Sequence, residues 1–284
     1  MTYSTQDYHV HISSDHRLLQ LGLKDVWAYR DLIRLFTERS FKLIYKQTIL
    51  GPLWLIISPM ITSFIYTIVF GNIAGLSTGG VPKLLFYLSS HAFWTFFASC
   101  LSGNASTFIR NAHVFQKVYF PRLTIPISTV FSAAIQFFIQ LALVGVVMAG
   151  YVARGEVSPN WIMLPLILPA VLVTGILGLG LGILVSSVTT KYRDLAFLVG
   201  FGLQLWMYVS PVVYPVSQMP LSGMYRFLLI NPMTAPMEIF RLALLGTGTV
   251  LPEAVISTLV FTLLAAVVGI VTFNKVERTF IDTV

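Results

Sequence analysis

The sequence predicts an all-α integral membrane protein with six transmembrane helices, because it contains six long apolar segments. Each has about 20 residues or more, and 20 helical residues rise about 30 Å, the thickness of the hydrocarbon core of a bilayer. Charged residues make up 10% of the 284 and the mean hydropathy is +0.81, whereas a soluble domain carries about 25% charged residues. The segments comprise residues 50–73, 84–102, 123–153, 161–188, 195–216 and 254–273.

The positive charges are sorted to one side of these segments, which predicts the topology. Fourteen of the 18 Lys and Arg residues lie before the first segment, after the last, and in the second-to-third and fourth-to-fifth connections. With six crossings these regions share one side of the membrane, and the positive-inside rule makes that side the cytoplasm. A multi-pass protein of the plasma membrane with both termini cytoplasmic is therefore expected. The net charge of +7 follows this topology, so no nucleic-acid partner is expected.

Two elements precede the first crossing. Residues 1–23 are polar and predict a cytoplasmic tail, and residues 24–48 predict an amphipathic helix that lies in the membrane interface. A single charged stripe, whose members recur every four residues, consists of Arg30, Arg34, Glu38 and Lys42. The same pattern also suits a helix that packs on another subunit, and both interpretations can hold together.

The first two crossings carry a break and an aromatic face. Gly51-Pro52 ends the interface helix and starts the first crossing, which Pro59 is expected to kink. In the second crossing Trp94 and Phe97 are three residues apart and share a helix face. Such a face either contacts lipid or lines a pathway, since aromatic rings stack on sugars and slide along acyl chains.

The connection between the second and third crossings, residues 111–122, is unusually apolar for a cytoplasmic loop. It predicts a short helix ended by Pro121, and an exposed apolar patch of this kind indicates a docking surface.

Residues 217–250 hold two apolar stretches, 224–230 and 237–245, that are each too short to span a membrane. They predict two half-length helices that enter the outer leaflet and return, which requires shielding by protein or a water-filled cavity. The alternative is an ordinary external loop with surface helices. Glu238 and Arg241 are three residues apart and could form an ion pair there. In the fourth crossing, Gly178 and Gly182 form a small-xxx-small pair that permits close helix contact.

The sequence lacks the chemistry of an energy-converting or catalytic protein. No lysine follows a glycine, so the Gly-Lys-Ser/Thr ending of a phosphate-binding loop does not occur. The six segments contain no Asp, Glu, Lys or Arg, one of which an ion-coupled transporter normally needs near the midplane. His91 is read as a hydrogen-bonding helix residue, and Cys100, the only cysteine, as a packing residue. We therefore predict that the chain forms a transport pathway and is not an enzyme. A partner protein is expected to supply the energy.

Five motifs together resemble the permease subunits of ABC-2 type polysaccharide exporters, which include the Wzm-like O-antigen permeases and the teichoic acid permeases. The resemblance covers the chain from Lys24 onward. The motifs are LGPLW at 50–54, FQKVYFPR at 115–122, KYRDL at 191–195, YVSPVVYP at 208–215 and NPMT at 231–234.

The resemblance implies a homodimer in a bacterial inner membrane, with two copies of a cytoplasmic ABC ATPase that binds ATP and Mg. It implies a glycan on undecaprenyl diphosphate as substrate and no cofactor in this chain. The residues it assigns to ATPase coupling are Val114, Phe115, Gln116, Lys117, Val118, Tyr119 and Phe120, with Lys191, Arg193 and Asp194 as a second contact.

Two further groups of residues fit this implied function. A pyrophosphate headgroup needs cations, and the interface helix offers Arg30, Arg34 and Arg39, a residue type suited to bidentate phosphate contact. A moving sugar chain needs a smooth aromatic wall more than tight hydrogen bonds. The candidate lining residues are Tyr66, Trp94, Phe97, Trp206, Tyr208 and Tyr214.

Two other functions remain open at this stage. An ABC-2 exporter could carry a drug, a lipid or a peptide instead of a glycan. A membrane-embedded enzyme acting on lipid-linked sugars is disfavoured, because no acid–base pair lies within a crossing.

Overall fold

The structure is a computed structural model that describes residues 23–46, 50–118, 120–189, 195–219 and 223–283. These residues form eleven α-helices and no β-strand. The helices are α1 (Leu23–Ala28), α2 (Arg30–Tyr45), α3 (Trp54–Tyr66), α4 (Lys83–Ala105), α5 (Thr107–Lys117), α6 (Thr124–Ala153), α7 (Ile167–Thr189), α8 (Leu195–Val209), α9 (Gly223–Ile230), α10 (Thr234–Leu245) and α11 (Pro252–Thr283). All but Leu23 of the predicted tail, residues 1–23, lies outside the described residues.

Five helical stretches in the described residues are long and apolar enough to cross a membrane. They are Gly51–Ile73, Lys83–Asn104, Thr124–Ala153, Leu164–Thr189 and Pro252–Val276, and they coincide with five of the six predicted segments. The remaining segment, 195–216, forms the shorter helix α8. Its predicted end at Val216 is wrong, because Pro211 follows closely after Val209 and has no N–H to continue the helical ladder.

The predicted interface helix is divided at Tyr29 into α1 and α2, and α2 lies against the start of α6. The Thr37 hydroxyl donates to the Ser128 carbonyl at 3.3 Å, and the Ser132 hydroxyl donates to the Thr37 carbonyl at 3.4 Å. The polar face of α2 points the other way, so α2 shows the two-sided character that the sequence predicted. Its fixed position depends on these buried hydroxyl contacts with the third span.

The first span is irregular at both ends. Gly51 has a φ of 50°, a left-handed conformation that glycine tolerates, and it opens a 3₁₀ turn, Gly51–Leu53, that leads into α3. The span ends in a π-helical turn, Thr67–Ile73. The Lys83 ammonium donates to the Gly71 carbonyl at 2.7 Å, which satisfies a helix-end acceptor and attaches the first span to the start of α4.

Helix α4 is the most buried of the spans and forms the centre of the bundle, packed between α6 and α7. The predicted small-residue pair allows this approach. A Cβ atom built on Gly178 would lie 2.6 Å from Cys100 Cβ, and one on Gly182 would lie 2.6 Å from Asn104 Cβ and 2.7 Å from the Leu101 carbonyl oxygen. The close helix contact predicted at these two glycines is therefore confirmed, and the structure shows that the partner helix is α4.

The region 217–250 contains the two short helices α9 and α10, of eight and twelve residues. Helix α10 is not a surface helix, because Met233, Met237 and Phe240 at its start and middle are buried in the main core. Phe240 stacks on Phe93 of α4 with ring centroids 4.6 Å apart. The surface-helix alternative therefore does not describe α10.

We expect Gly182→Ala to destabilise the protein by about 1–3 kcal/mol, because the added methyl group meets α4 backbone that cannot move independently. The measurement is thermal denaturation of the detergent-purified chain. Gly150→Ala, on α6, is the matched control, since no atom lies within 4 Å of its Cβ position. Equal denaturation temperatures for the two variants would contradict the close α4–α7 contact.

Candidate functional site

A buried ion pair stands at one end of the bundle. Arg241 and Glu238, both on α10, contact each other as the sequence predicted, and their side chains are only 2% and 1% exposed. The Arg241 guanidinium also lies 4.4 Å from the centre of the Phe86 ring on α4. A buried charge is costly unless it is paired and hydrogen-bonded, and in this pair Arg241 Nε has no hydrogen-bond partner among the described residues.

The partners of this pair come from three parts of the chain. Arg241 donates to the Pro211 carbonyl at 2.6 Å and to the Ser90 hydroxyl at 3.2 Å. The Glu238 carboxylate accepts from the backbone N–H groups of Thr249 at 2.8 Å and Val216 at 3.4 Å. We call this group, with residues Ser90, Pro211, Val216, Glu238, Arg241 and Thr249, the Arg241 clamp. It fixes the non-helical segment after α8 to α4 and α10.

Asn231 makes a second connection to the same segment. Its side-chain oxygen accepts from Trp206 Nε1 at 3.1 Å and from the Met233 N–H at 3.0 Å, and its amide nitrogen donates to Ser210 Oγ at 3.0 Å. Sequence reasoning did not assign Asn231 a role. The sequence did contain a signal for Asn231, because the motifs at 208–215 and 231–234 are both part of the family resemblance. The structure shows that these two motifs contact each other.

The six aromatic residues predicted to line the transport path differ in their exposure. Trp94 and Phe97 are buried and pack around Trp206, with ring centroids 6.3 and 5.1 Å from it. In the single chain these two rings are core residues, whereas Tyr208 is 44% exposed.

The other aromatic candidates are half-buried. The Tyr66 hydroxyl donates to the Met207 sulfur at 3.4 Å, and the Tyr214 hydroxyl donates to the Val209 carbonyl at 3.2 Å. Both rings are therefore held by α8. A lining role for any of the six stays a prediction.

The opposite end of the bundle is closed by a second apolar core, the Phe108 cluster. It consists of Phe108, Phe115, Phe120, Ile125, Ile183 and Phe273. Phe120 lies 5.8 Å from the ring of Phe115 and 5.9 Å from that of Phe36 on α2. Both phenylalanines of the predicted docking segment are thus buried within their own chain, and the expectation of an exposed apolar patch is wrong for them. Their aromatic side chains find partners on α2, α6, α7 and α11.

The exposed part of the docking segment is small. Val118 is 58% exposed and Lys117 is exposed, while Val114 is half-buried. Tyr119, the side chain of Gln116, and the predicted second contact at Lys191, Arg193 and Asp194 lie outside the described residues.

The predicted cationic surface lies on α2, where Arg30, Arg34 and Arg39 are exposed. Arg34 Nε lies 3.0 Å from Glu38 Oε1, and Lys42 Nζ lies 3.6 Å from Glu38 Oε2. The hydrogen bond from Arg34 and the charge of Lys42 hold the pKa of the Glu38 carboxyl below its usual value. The charged stripe predicted from the four-residue spacing is confirmed. A headgroup-binding role for the three arginines stays a prediction.

One cavity in the described residues is lined by polar side chains at the level of the spans. Its volume is about 300 Å³, and it lies between α3, α4 and α6. The polar lining residues are Ser58, His91, Thr95 and Gln140. No cluster of three His, Cys, Asp or Glu side chains suited to a metal ion occurs in the described part of the chain.

A family model for ABC-2 type transporters matches residues 31–245, from the start of α2 to the end of α10. The chain belongs to the ABC-2 type transporter family. The membership predicted from the five motifs is therefore confirmed. An ABC-2 type transporter is a transport protein, which agrees with the prediction that this chain is not an enzyme. The match includes the docking segment and every residue of the Arg241 clamp except Thr249.

Curated relatives of this ABC-2 type transporter are similar over most of their length. Two proteins from Klebsiella pneumoniae named O-antigen export system permease protein RfbA are 28% identical over 254 residues and 27% identical over 253 residues. Each alignment covers 89% of this chain and 94% of the relative. A protein of the same name from Myxococcus xanthus is 26% identical over 222 residues, which is 77% of this chain and 82% of the relative.

We expect Arg241→Leu to destabilise the protein by about 3–5 kcal/mol, because it leaves the Glu238 carboxylate buried without its counter-ion. The double variant Glu238→Leu with Arg241→Leu should recover part of this loss, since it removes both charges. Thermal denaturation in detergent measures both effects. Arg226→Leu, on the exposed side of α9, is the matched control. A similar denaturation temperature for the Arg241 and Arg226 variants would show that the clamp carries no stability.

Proposed function

We propose that this chain is the permease subunit of an ATP-driven exporter that moves a lipid-linked polysaccharide across the bacterial inner membrane. The relatives named O-antigen export permeases support a polysaccharide substrate, since the similarity extends over 89% of the chain. The structural observation that carries the proposal is the form of the docking segment. Val118 is an exposed residue between two phenylalanines, Phe115 and Phe120, that are fixed in the Phe108 cluster.

This arrangement suits the transmission of force from a partner. Phe115 and Phe120 pack with Phe108 after the end of α4, Ile125 of α6, Ile183 of α7 and Phe273 of α11. A close-packed interior does not yield to small displacements. A push on Lys117 and Val118 would therefore move the ends of three spans, α6, α7 and α11, together. The partner that supplies the push is proposed to be an ABC ATPase, which binds the ATP and Mg that this chain has no phosphate-binding loop to hold.

The proposed topology has six crossings, with α8 as the fifth and both termini in the cytoplasm. The Phe108 cluster and the arginines of α2 then lie at the cytoplasmic face, in agreement with the charge distribution. The Arg241 clamp lies toward the outer face, with α9 and α10 re-entering the membrane. Non-helical backbone at that depth must be satisfied by protein. The bonds from Arg241 to Pro211 and from Val216 to Glu238 supply this for the segment after α8.

A homodimer with two ATPase copies fits the exposed faces of two helices. Helix α3 forms the least buried span, with Ile61 and Phe64 exposed, and Phe197 and Phe201 of α8 are also exposed. In the proposed dimer these faces line a path between the two permeases. Tyr208, the most exposed of the six aromatic candidates, stands on that face of α8.

The substrate is proposed to be a glycan on undecaprenyl diphosphate. Its headgroup would meet Arg30, Arg34 and Arg39 on α2 at the cytoplasmic face, because guanidinium groups bind phosphate oxygens in pairs. Arg34 is already ordered by its hydrogen bond to Glu38, which reduces the entropy lost on binding.

The first test is gentle extraction from native membranes with mass spectrometry of the co-purifying proteins. We expect a subunit with a nucleotide-binding loop at near one-to-one stoichiometry. Val118→Asp should lower its recovery about ten-fold, because it places a charge in the proposed contact at an exposed position that does not disturb the fold. Val118→Thr, of the same shape, is the control and should retain the subunit. Absence of such a subunit from a folded, monodisperse preparation would contradict the proposed function.

The headgroup site makes a separate prediction. Arg34→Gln should raise the concentration of lipid-linked glycan that half-maximally stimulates the complex's ATPase by about ten-fold, the loss of one charge-assisted contact worth about 1.4 kcal/mol. Lys42→Gln is the matched control, because it also removes one positive charge and one contact with Glu38. If both variants shift the dose response equally, only general surface charge is involved and Arg34 is not a headgroup ligand.

A further inference from the structure

The helical chain is broken between α4 and α5, although residues 104–108 contain neither proline nor glycine. Helix α4 ends at Ala105 and α5 begins at Thr107. The single residue between them, Ser106, has a φ of −120° and a ψ of 20°, whereas a helical residue has angles of about −63° and −42°. Because α5 contains the first part of the docking segment, the bend at Ser106 determines how that segment is presented.

The break changes the partners of the backbone groups on both sides of it. In a continuous helix the Ala105 carbonyl would accept from the Ile109 N–H, and the Phe108 N–H would donate to the Asn104 carbonyl. In the structure the Asn104 carbonyl accepts from the Ser106 N–H instead. Asn104, Ala105 and Phe108 are buried, so their backbone groups need partners from elsewhere in the protein.

The last turn of α7 supplies these partners. The Thr189 hydroxyl donates to the Ala105 carbonyl at 2.8 Å, and the Phe108 N–H donates to the Ser186 hydroxyl oxygen at 3.3 Å. The side chains of Ser186 and Thr189 are fully buried. A sharp bend is expected where a side chain enters the ladder of helical hydrogen bonds. The bend between α4 and α5 is therefore held by hydroxyl groups of α7.

The Thr189 hydroxyl has a second acceptor within reach. It lies 3.0 Å from the Ser186 carbonyl of its own helix, three residues earlier. A threonine hydroxyl has one proton to donate, so it can serve Ala105 or Ser186 in turn. Once released, the Ala105 carbonyl can accept from the Ile109 N–H if the junction straightens. Release therefore need not leave either the hydroxyl or the buried carbonyl unpaired, which avoids the main cost of breaking a buried hydrogen bond.

We propose that Thr189 is a positioning residue that acts as a reversible latch. Its hydrogen bond to Ala105 holds the α4–α5 junction bent, and rotation of its hydroxyl toward Ser186 frees the junction to straighten. The role of the latch in transport rests on the proposed function. Helix α7 ends at Thr189, two residues before the second predicted ATPase contact begins at Lys191. A partner that moves either predicted contact would thus act on the same hydrogen bond.

The test is a distance measurement between two spin labels on the full chain in lipid nanodiscs. His113→Cys places one label on the exposed side of α5, and Leu172→Cys places the other on the exposed side of α7. Cys100 is fully buried and does not compete for the label, and dilution with unlabelled chain suppresses distances between copies. Residue 113 is seven residues, or about 10 Å of helix, beyond Ser106, so a change of about 30° in the bend moves its label by about 5 Å.

Thr189→Val keeps the shape of the side chain and removes its hydroxyl. We expect it to shift the main distance by about 5 Å, because the buried Ala105 carbonyl must then take the Ile109 N–H as its donor. Thr189→Ser keeps the hydroxyl and should retain the distance of the unsubstituted chain. Ser187→Ala is the matched control and should also retain it, since the Ser187 hydroxyl lies in the same turn but bonds the Ile183 carbonyl of its own helix at 3.0 Å. Thr189→Ala tests the same hydroxyl if Thr189→Val is not recovered.

A second measurement tests the role of the latch in transport. In the complex with the co-purified ATPase we expect Thr189→Val to retain that subunit, because the exposed Lys117 and Val118 are unchanged. Glycan export by Thr189→Val should be about ten-fold lower than export by Ser187→Ala, the effect of one hydrogen bond on the equilibrium of the junction. Thr189→Ser should restore export.

The outcomes separate the latch from the proposed function. Superimposable distances for Thr189→Val and the unsubstituted chain would overturn the latch. A shift in Thr189→Ser as large as that in Thr189→Val would overturn it as well, because the hydroxyl would then not be the group that holds the bend. A shifted distance with equal export by Thr189→Val and Ser187→Ala would overturn its role in transport. The expected distances without any co-purifying ATPase would contradict the proposed function alone, since the distance measurement needs only this chain.

Discussion

The ion pair between Arg241 and Glu238 is the interaction on which the arrangement of one half of the molecule depends. A guanidinium and a carboxylate that are both buried are costly unless they are hydrogen-bonded, and here the partners come from α4, from the segment after α8 and from the residues after α10. These hydrogen bonds fix the path of the chain between its fifth and sixth apolar segments. Asn231 reinforces the same segment through Trp206 and Ser210.

Helix α4 connects this clamp to the Phe108 cluster at the other end. Ser90 and Phe86 contact Arg241 near its start, and Phe108 follows directly after its end. Between them Gly178 and Gly182 let α7 approach to backbone contact, so α4 has little room to move by itself. The clamp and the Phe108 cluster are therefore joined by the most buried span. This accounts for the deep burial of α4 in a chain whose first span remains largely exposed.

Local patterns in the sequence predicted most of the helices and the contacts within a helix. The length of the apolar segments gave five spans, and residue spacing gave both the Arg34–Glu38 contact and the Arg241–Glu238 pair. Contacts between distant segments were not predictable in this way. An apolar connection such as 111–122 has the same composition whether Phe115 and Phe120 face a partner or their own chain. The polar cavity lined by His91 and Gln140 likewise forms only when α3, α4 and α6 stand side by side.

The close packing at Gly178 has a practical consequence for experiments on this chain. Cys100 is the only cysteine of the 284 residues, and it is fully buried, with its Cβ at the point where a side chain on Gly178 would stand. A water-soluble thiol reagent has no route to its sulfur while the helices stay packed. Single cysteines placed on α2, on the docking segment or on α9 can therefore be modified selectively in the natural background. Modification of Cys100 itself would then report that α4 and α7 have separated.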